Sequence, residues 1–580
     1  MRRIFIGIFI FSWGIIACQA VNPVTSTPTP SVIPPSATST QTPTETVTVT
    51  PTAIPATPTH VPPTPTTSPI PPEFVFDVRT HPDHGLYIGD QVSFEVIPPQ
   101  GMDLSEATLQ IFDGSNLMEA NFVPFGIGGR NQATLYWAWD TTDIDVGAQP
   151  LTFTIQPQGY TWTHTITLEP ASEIPPPEPA ARWVSAELDC CMFYYISETA
   201  AAREITATLA LADQRAEHAI NALGIDFDEP LIVNLMPRVL GQGGFASTEM
   251  YISFLDRNYA GNSLEMVLHH EMVHILDHHL GGELRPTILV EGLAVYLTGG
   301  HYKPEAMIPR AAALLAPAER EDGLGLDWYI PLRPLTDDFY QSQHEIGYIQ
   351  AGALVEYLVD TWGWEAYSDF YRDIHSTEAG THSAALDIAF QTHFDLTLDE
   401  LEANFLTMLK EQEINPGVID DVRLTVEFFE TMRRYQQTLD PSAYFLTAWL
   451  PNGPLMREHG IVADLVRRPA EAENLALETL LVAADAATDR GDYAIAIEAL
   501  AAANAVLGAI EKGQTAPFET HPMAQTHYDI ASSLLEAGYQ IQQINIKGET
   551  AQVVATQGWS ELTILDFSVA NGNWSLVSGQ

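Results

Sequence analysis

The chain has 580 residues, enough for several domains that each bury a core, and 46% of them are hydrophobic. Its 74 acidic residues outnumber its 25 basic ones, for a formal net charge of −49. That balance argues against nucleic acid as a partner, because phosphate binding relies on Lys and Arg, and the even spread of acidic residues indicates a soluble, self-repelling surface.

The N-terminus has the layout of an export signal: basic Arg2 and Arg3, an apolar run from Ile4 to Ile16, then Ala17 and Cys18. The run is shorter than the roughly 20 residues a membrane span needs. Ile15-Ile16-Ala17-Cys18 resembles the lipobox of bacterial lipoprotein signals. The resemblance implies that residues 1–18 are such a signal, cut before Cys18. Lipid on Cys18 would then hold the mature chain on the outer face of a bacterial cell membrane, since several acyl chains anchor stably where one does not. Residues 19–73 are almost wholly Pro, Thr, Ser, Val and Ala. They cannot bury enough apolar surface to fold and are expected to form an extended stalk.

From residue 74 to 170 the pattern changes to short alternating runs, among them Gln91 to Val96, Ala107 to Phe112, Leu151 to Ile155 and Thr163 to Leu168. Strands at that spacing, with Gly, Asp and Asn turns between them, predict a β-sandwich of immunoglobulin-like type. A Pro-rich linker over residues 171–181 closes it.

Residues 182–412 are expected to form a central α+β domain. Cys190 and Cys191 are adjacent in a strand-like stretch, so their side chains should point to opposite faces. Two buried strand thiols are expected there, in preference to a vicinal disulfide, and neither is expected to bind metal. A helix is expected over Ala200 to Leu223, ended by Gly224, with strands at Pro230 to Leu235 and Met250 to Phe254.

A helix then carries His270-Glu271-Met272-Val273-His274. Asn262 with Glu265 gives it a capping-box-like start, and Gly281-Gly282 stop it. Histidines at i and i+4 share one helix face and aim two imidazoles at one point. Apolar residues surround them on most sides, so three ionisable groups in this helix need a reason. A hydrolytic zinc site takes three protein ligands and keeps one position open for water. His278 lies about 12 Å along the helix from His270 and is too far to be the third. Glu283 follows the helix-stopping glycines and sits in a turn. Glu291 opens an amphipathic run after Pro286, and a helix-turn-helix would bring it back against the first helix, with Gly292 and Ala294 small enough for close approach. One zinc ion per chain on His270, His274 and Glu291 is the expectation.

His270-Glu271-x-x-His274 followed by Glu291-Gly292-x-Ala294-x-Tyr296 resembles the gluzincin metallopeptidases, in particular the peptidase MA-like domains related to aminopeptidase N. The resemblance covers about residues 182–412 and implies a zincin-type fold with two His and a later Glu on zinc, and Glu271 as general base. The stretch Gly347-Tyr348-Ile349-Gln350 to Leu358 is similar to a family helix whose tyrosine stabilises the oxyanion, a role that falls on Tyr348. The chain departs from the aminopeptidase branch in a shorter gap between His274 and Glu291 and in lacking Gly-Ala-Met-Glu-Asn. The nearest stretch, Gly243 to Glu249, offers only Glu249 to receive a substrate's amino terminus. The strand Met250 to Phe254 is expected to pair with an extended peptide by edge addition.

Beyond residue 412 a helical region over 413–535 includes a helical hairpin from Leu475 to Leu507, and a small β meander occupies 536–580. Two functions compete. One is zinc-dependent hydrolysis of peptide or protein substrates by a surface-anchored peptidase. The other is a non-catalytic surface lipoprotein that binds envelope components through its sandwich and helical modules. Nothing in the sequence sets the oligomeric state.

Overall fold

The computed structural model describes residues 68–69, 75–125, 130–239, 243–261, 263–317, 325–340, 344–443, 453–557, 562–570 and 573–579. The expected export signal with Cys18, nearly all of the expected stalk and the Asn262 cap lie outside them.

The N-terminal strands belong to one eight-stranded sheet, curled around a single core. Its order is Ser68–Pro69, Tyr160–Leu168, Gly147–Gln156, Thr108–Phe112, Leu117–Phe125, Arg130–Asp140, Gln91–Ile97, Asp77–His81. All pairings are antiparallel except the first. The sheet is continuous because Leu117–Phe125 changes partner midway. Residues Leu117 to Asn121 pair with Thr108–Phe112, and Phe122 to Phe125 pair with Arg130–Asp140. Alternate side chains, among them Phe94, Leu109, Ile111, Phe153 and Ile155, fill the space inside.

The central region has a five-stranded mixed sheet in the order Gly244–Ala246, Met250–Ser253, Leu231–Met236, Cys191–Ile196, Trp183–Glu187. The three inner strands are parallel and the two outer ones antiparallel to their neighbours. Two expectations change here. Met250–Ser253 has neighbours on both sides, so the edge belongs to Gly244–Ala246. Cys190 and Cys191 form a vicinal disulfide. Cys190 lies outside the strand, in a hairpin turn closed by hydrogen bonds between Leu188 and Cys191.

The helix Ala200–Leu223 forms where expected, with Gly224 in the left-handed conformation as its cap (φ 65°). Its buried Thr208, Ala212, Ala216, Ala219 and Leu223 recur at helical spacing, and this face packs on the motif helix Leu264–Leu276. The motif helix starts after Ser263 and runs through a 3-10 turn, Asp277–Leu280, into Gly281. The helix Thr287–Thr298 follows and packs between the motif helix and His344–Trp362. Gly292 serves the second of these contacts. A Cβ there would stand 2.5 Å from the carbonyl oxygen of Ala351, and one at Gly352 would stand 2.5 Å from Val295 Cγ1. Gly292 therefore permits close approach to the later helix.

The C-terminal region has helices, including the hairpin Ala472–Asp489 and Tyr493–Ile510, followed by a four-stranded antiparallel sheet from Tyr539 to Gly579. It shares one core with Val239, Tyr259, Ala260 and Tyr302 of the central region. Buried arginines span the junctions. Arg238 binds Asp440 (2.7 and 2.9 Å), Arg257 binds Glu478 and the Ile541 carbonyl, and Arg310 binds Asp421. Arg467 reaches Asp90 in the N-terminal sheet (2.7 and 3.0 Å) and Glu178 in the expected linker (2.9 Å). Trp137 of the same sheet donates its indole N–H to Asp464 (3.1 Å).

His527 is buried among the C-terminal helices with Nδ1 2.9 Å from Thr479 Oγ1, and burial lowers its pKa to about 3. The unfolded chain takes up this proton near pH 6.5 and the folded chain does not. Its contribution is thus complete above that pH and is lost as pH falls toward 3, by about 1.4 kcal/mol per unit. A His527→Gln chain should show an acid limb shallower by one proton when denaturant stability is measured from pH 7 to pH 4.5. An unchanged slope would refute a neutral buried His527.

Candidate metal centre

Within the motif helix nearly every side chain from Met266 to Leu276 is buried, so the ionisable groups face protein and one another. His270 and His274 lie one turn apart, and their Nε2 atoms stand 2.9 Å from each other. The turn through Gly281 and Gly282, both at positive φ, reverses the chain into Thr287–Thr298. Glu291 on that helix then brings Oε2 to 3.1 Å from His274 Nε2 and 3.4 Å from His270 Nε2. All three side chains are buried, Glu291 to 1% exposure.

These donors fit a zinc ion. With bonds of about 2.0–2.1 Å, two ligands of a tetrahedral zinc stand roughly 3.3 Å apart. The three separations here, 2.9, 3.1 and 3.4 Å, match that edge. Glu291 Oε2 is aimed between the two imidazoles, while Tyr340 donates its hydroxyl to Oε1 at 2.7 Å. This is the one group of three or more His, Cys, Asp and Glu side chains with metal-like convergence among the described residues.

The electrostatics of the centre are those of a shared charge. Burial works against the Glu291 carboxylate, yet His274 and His270 hold it well below the usual carboxylate range. Burial also works against a charged His274, but Glu291, with Glu271 and Asp277 behind it, raises its pKa to about 9. Burial and the charge on His274 push His270 down to about 3. Metal ligation requires both imidazoles neutral, so any proton shared within this cluster has to leave when an ion binds.

Glu271 is 2% exposed, and the edge strand Gly244–Ala246 passes directly over it. A Cβ at Gly244 would stand 2.5 Å from both Glu271 Oε1 and Val267 Cγ1. Only a glycine leaves the carboxylate in place. Under a hydrolytic reading, Gly244→Val should lower the turnover rate by about 10²-fold, since a shift near 1 Å in a reacting group costs that much. Zinc content should hold. Unaltered turnover would show that the carboxylate position does not matter.

Tyr348 is fully buried in the wall beside the centre. Its ring stacks on His301 (centroids 3.9 Å apart, planes at 7°) and lies 6.2 Å from the His270 ring. His301 in turn lies 3.4 Å from the buried Glu345 carboxylate. Neither His301 nor Tyr340 stands at a spacing that a sequence would flag. Each sits in a connection, after Gly299-Gly300 and after the short helix Leu332–Asp337 respectively.

Other ionisable side chains near the motif helix go elsewhere. His278 meets Arg285, His279 packs edge-on against Phe227, and His269 faces His218 at 3.1 Å. Glu283 is exposed and pairs with His375 at 2.9 Å. Asp277 is fully buried and bound by Arg285 and the Tyr371 hydroxyl (2.8 Å). Glu249, the candidate for a substrate's amino terminus, is buried and held by Arg457 at 2.8 Å through each oxygen and by Asn234 at 2.9 Å. It is already neutralised. No family model matches the chain and no curated protein matches it, so the functional reading rests on the centre itself.

Proposed function

We propose that the chain is a zinc-dependent peptidase of gluzincin type, lipid-anchored through Cys18 at the outer face of a bacterial cell membrane. The observation that carries it is the convergence of His270, His274 and Glu291 into a tetrahedral edge pattern with Glu271 beside them. In this reading the central region is a zincin-type catalytic unit and the curled N-terminal sheet an accessory immunoglobulin-like module.

His270, His274 and Glu291 would hold the ion. Zinc, when bound, supplies Lewis acidity toward the scissile carbonyl and acidifies the attacking water. Glu271 takes the water's proton and returns it to the leaving amine. The Gly244–Ala246 edge, with one described strand partner, aligns an extended peptide past Glu271 by main-chain pairing. Tyr348 is assigned to the developing oxyanion by its resemblance to the family helix. The engagement of Glu249 by Arg457 favours endopeptidase over aminopeptidase action, since that carboxylate is not free to grip an amino terminus.

The test is metal content together with cleavage of a diverse peptide mixture. The purified chain should carry zinc, cut internal bonds, lose activity on chelation and regain it with zinc. A chain that takes up zinc and cuts nothing would favour the non-catalytic binding protein, and one that takes up none would end the peptidase reading.

A further inference from the structure

The two oxygens of Glu291 are used differently. Oε2 faces the two imidazoles at 3.1 and 3.4 Å, whereas Oε1 accepts the Tyr340 hydroxyl at 2.7 Å. At 1% exposure Glu291 is out of reach of bulk water. Tyr340 comes from the connection before His344–Trp362, on neither of the helices that bear the donors. Its ring is set at right angles to Phe339 (centroids 5.4 Å apart, planes at 88°), and Phe339 lies edge-on to Tyr348 (5.3 Å, 75°). The phenol is thus aimed by packing.

We infer that Tyr340 is a positioning residue that keeps Glu291 a one-oxygen metal ligand, an inference that rests on the zinc proposal above. A carboxylate with two free oxygens can swing to chelate an ion through both. That would fill the position a hydrolytic water needs, because an active zinc keeps one of four places open. A phenol suits the task. It occupies Oε1 with a neutral donor and leaves the carboxylate charge to the metal, whereas an Arg or Lys in its place would compete with the ion for that charge. Outer partners of this kind sustain metal affinity, and their loss costs about 10- to 100-fold.

The experiment uses the full chain with Tyr340→Phe, which keeps the ring and removes the hydroxyl. The zinc dissociation constant is measured by competition with a chelator, and the metal-free chain is loaded with cobalt(II) for visible absorption. The dissociation constant should rise about 10- to 100-fold. The cobalt bands should weaken as the ligand number rises above four. Tyr329→Phe is the control, because it removes a comparable hydrogen bond, to Glu402 Oε1 at 3.1 Å, away from the centre. It should leave affinity and spectrum as in the wild type. Wild-type affinity and spectrum in Tyr340→Phe overturn the inference. So does a fall in kcat with both unchanged, which would place the hydroxyl on substrate. A wild-type chain that binds neither ion overturns the zinc proposal and this inference with it.

Discussion

On the proposed zinc-peptidase function, replacing Glu271 with glutamine should lower kcat/KM for peptide hydrolysis by about 10²- to 10⁴-fold while zinc binding is retained. The substitution is nearly isosteric, which matters in a space where Gly244 leaves no room for a Cβ. A neutral amide cannot take a proton from water, so the loss falls on the chemical step. It can still fill the volume and meet the strand, so folding and metal content should hold. Glu291→Gln behaves differently. It weakens a donor that stands 3.1 and 3.4 Å from two imidazoles, and zinc content should fall with activity. Metal analysis beside kinetics separates the two variants. Hydrolysis by Glu271→Gln at the wild-type rate would remove Glu271 from the mechanism.

Arg467→Met should destabilise the chain by about 3–5 kcal/mol, the range for removing one partner from a buried ionic cluster. Arg467 is 1% exposed along its side chain and meets two carboxylates, Asp90 at 4% and Glu178 at 9%. Burial already raises the Glu178 pKa, and the charge on Asp90 adds to this, with Arg467 opposing both. Without the guanidinium the Glu178 carboxyl rises further and is more easily protonated in the folded chain than in the unfolded one. Such groups stabilise at low pH and lose that contribution as pH rises through their folded values. The deficit should therefore be smaller at pH 5 than at pH 8 in denaturant titrations. Adding Asp90→Asn and Glu178→Gln to Arg467→Met should recover most of the loss, because replacing a whole buried cluster by neutral groups is often tolerated. A deficit that is equal at both pH values and persists in the triple variant would mean that packing, not charge, sets the cost.

The parts of this molecule legible in its sequence are those governed by a period. Helical spacing places His270 and His274 on one face, and a glycine turn with a second amphipathic run returns Glu291 to them. The helix Ala200–Leu223 and the hairpin Ala472–Asp489 with Tyr493–Ile510 follow from the same spacing and from their glycine and turn punctuation. What was not legible depends on neighbours that no period announces. Met250–Ser253 is buried at every position, the pattern of a strand covered on both faces, yet its apolar run gives no sign that a three-residue strand lies outside it. Gly244–Ala246 is too short to register as a strand at all. The Cys190–Cys191 disulfide depends on a hairpin turn that removes Cys190 from the strand. Tyr340 acts from a loop, where contact is decided by the fold and not by spacing.

The buried arginines carry a consequence for how this acidic molecule responds to its medium. Arg238, Arg257, Arg310 and Arg467 take positive charge out of a set of only 25 basic residues and place it between structural units. Their carboxylate partners Asp440, Glu478, Asp90 and Glu178 are buried with them, so the outer face keeps most of the chain's formal net charge of −49. Mobile ions reach that face and damp its self-repulsion, whose range at physiological ionic strength is about 8 Å. They do not reach the interior pairs. Ordinary salt, which loosens proteins held by surface ion pairs, should tighten this one.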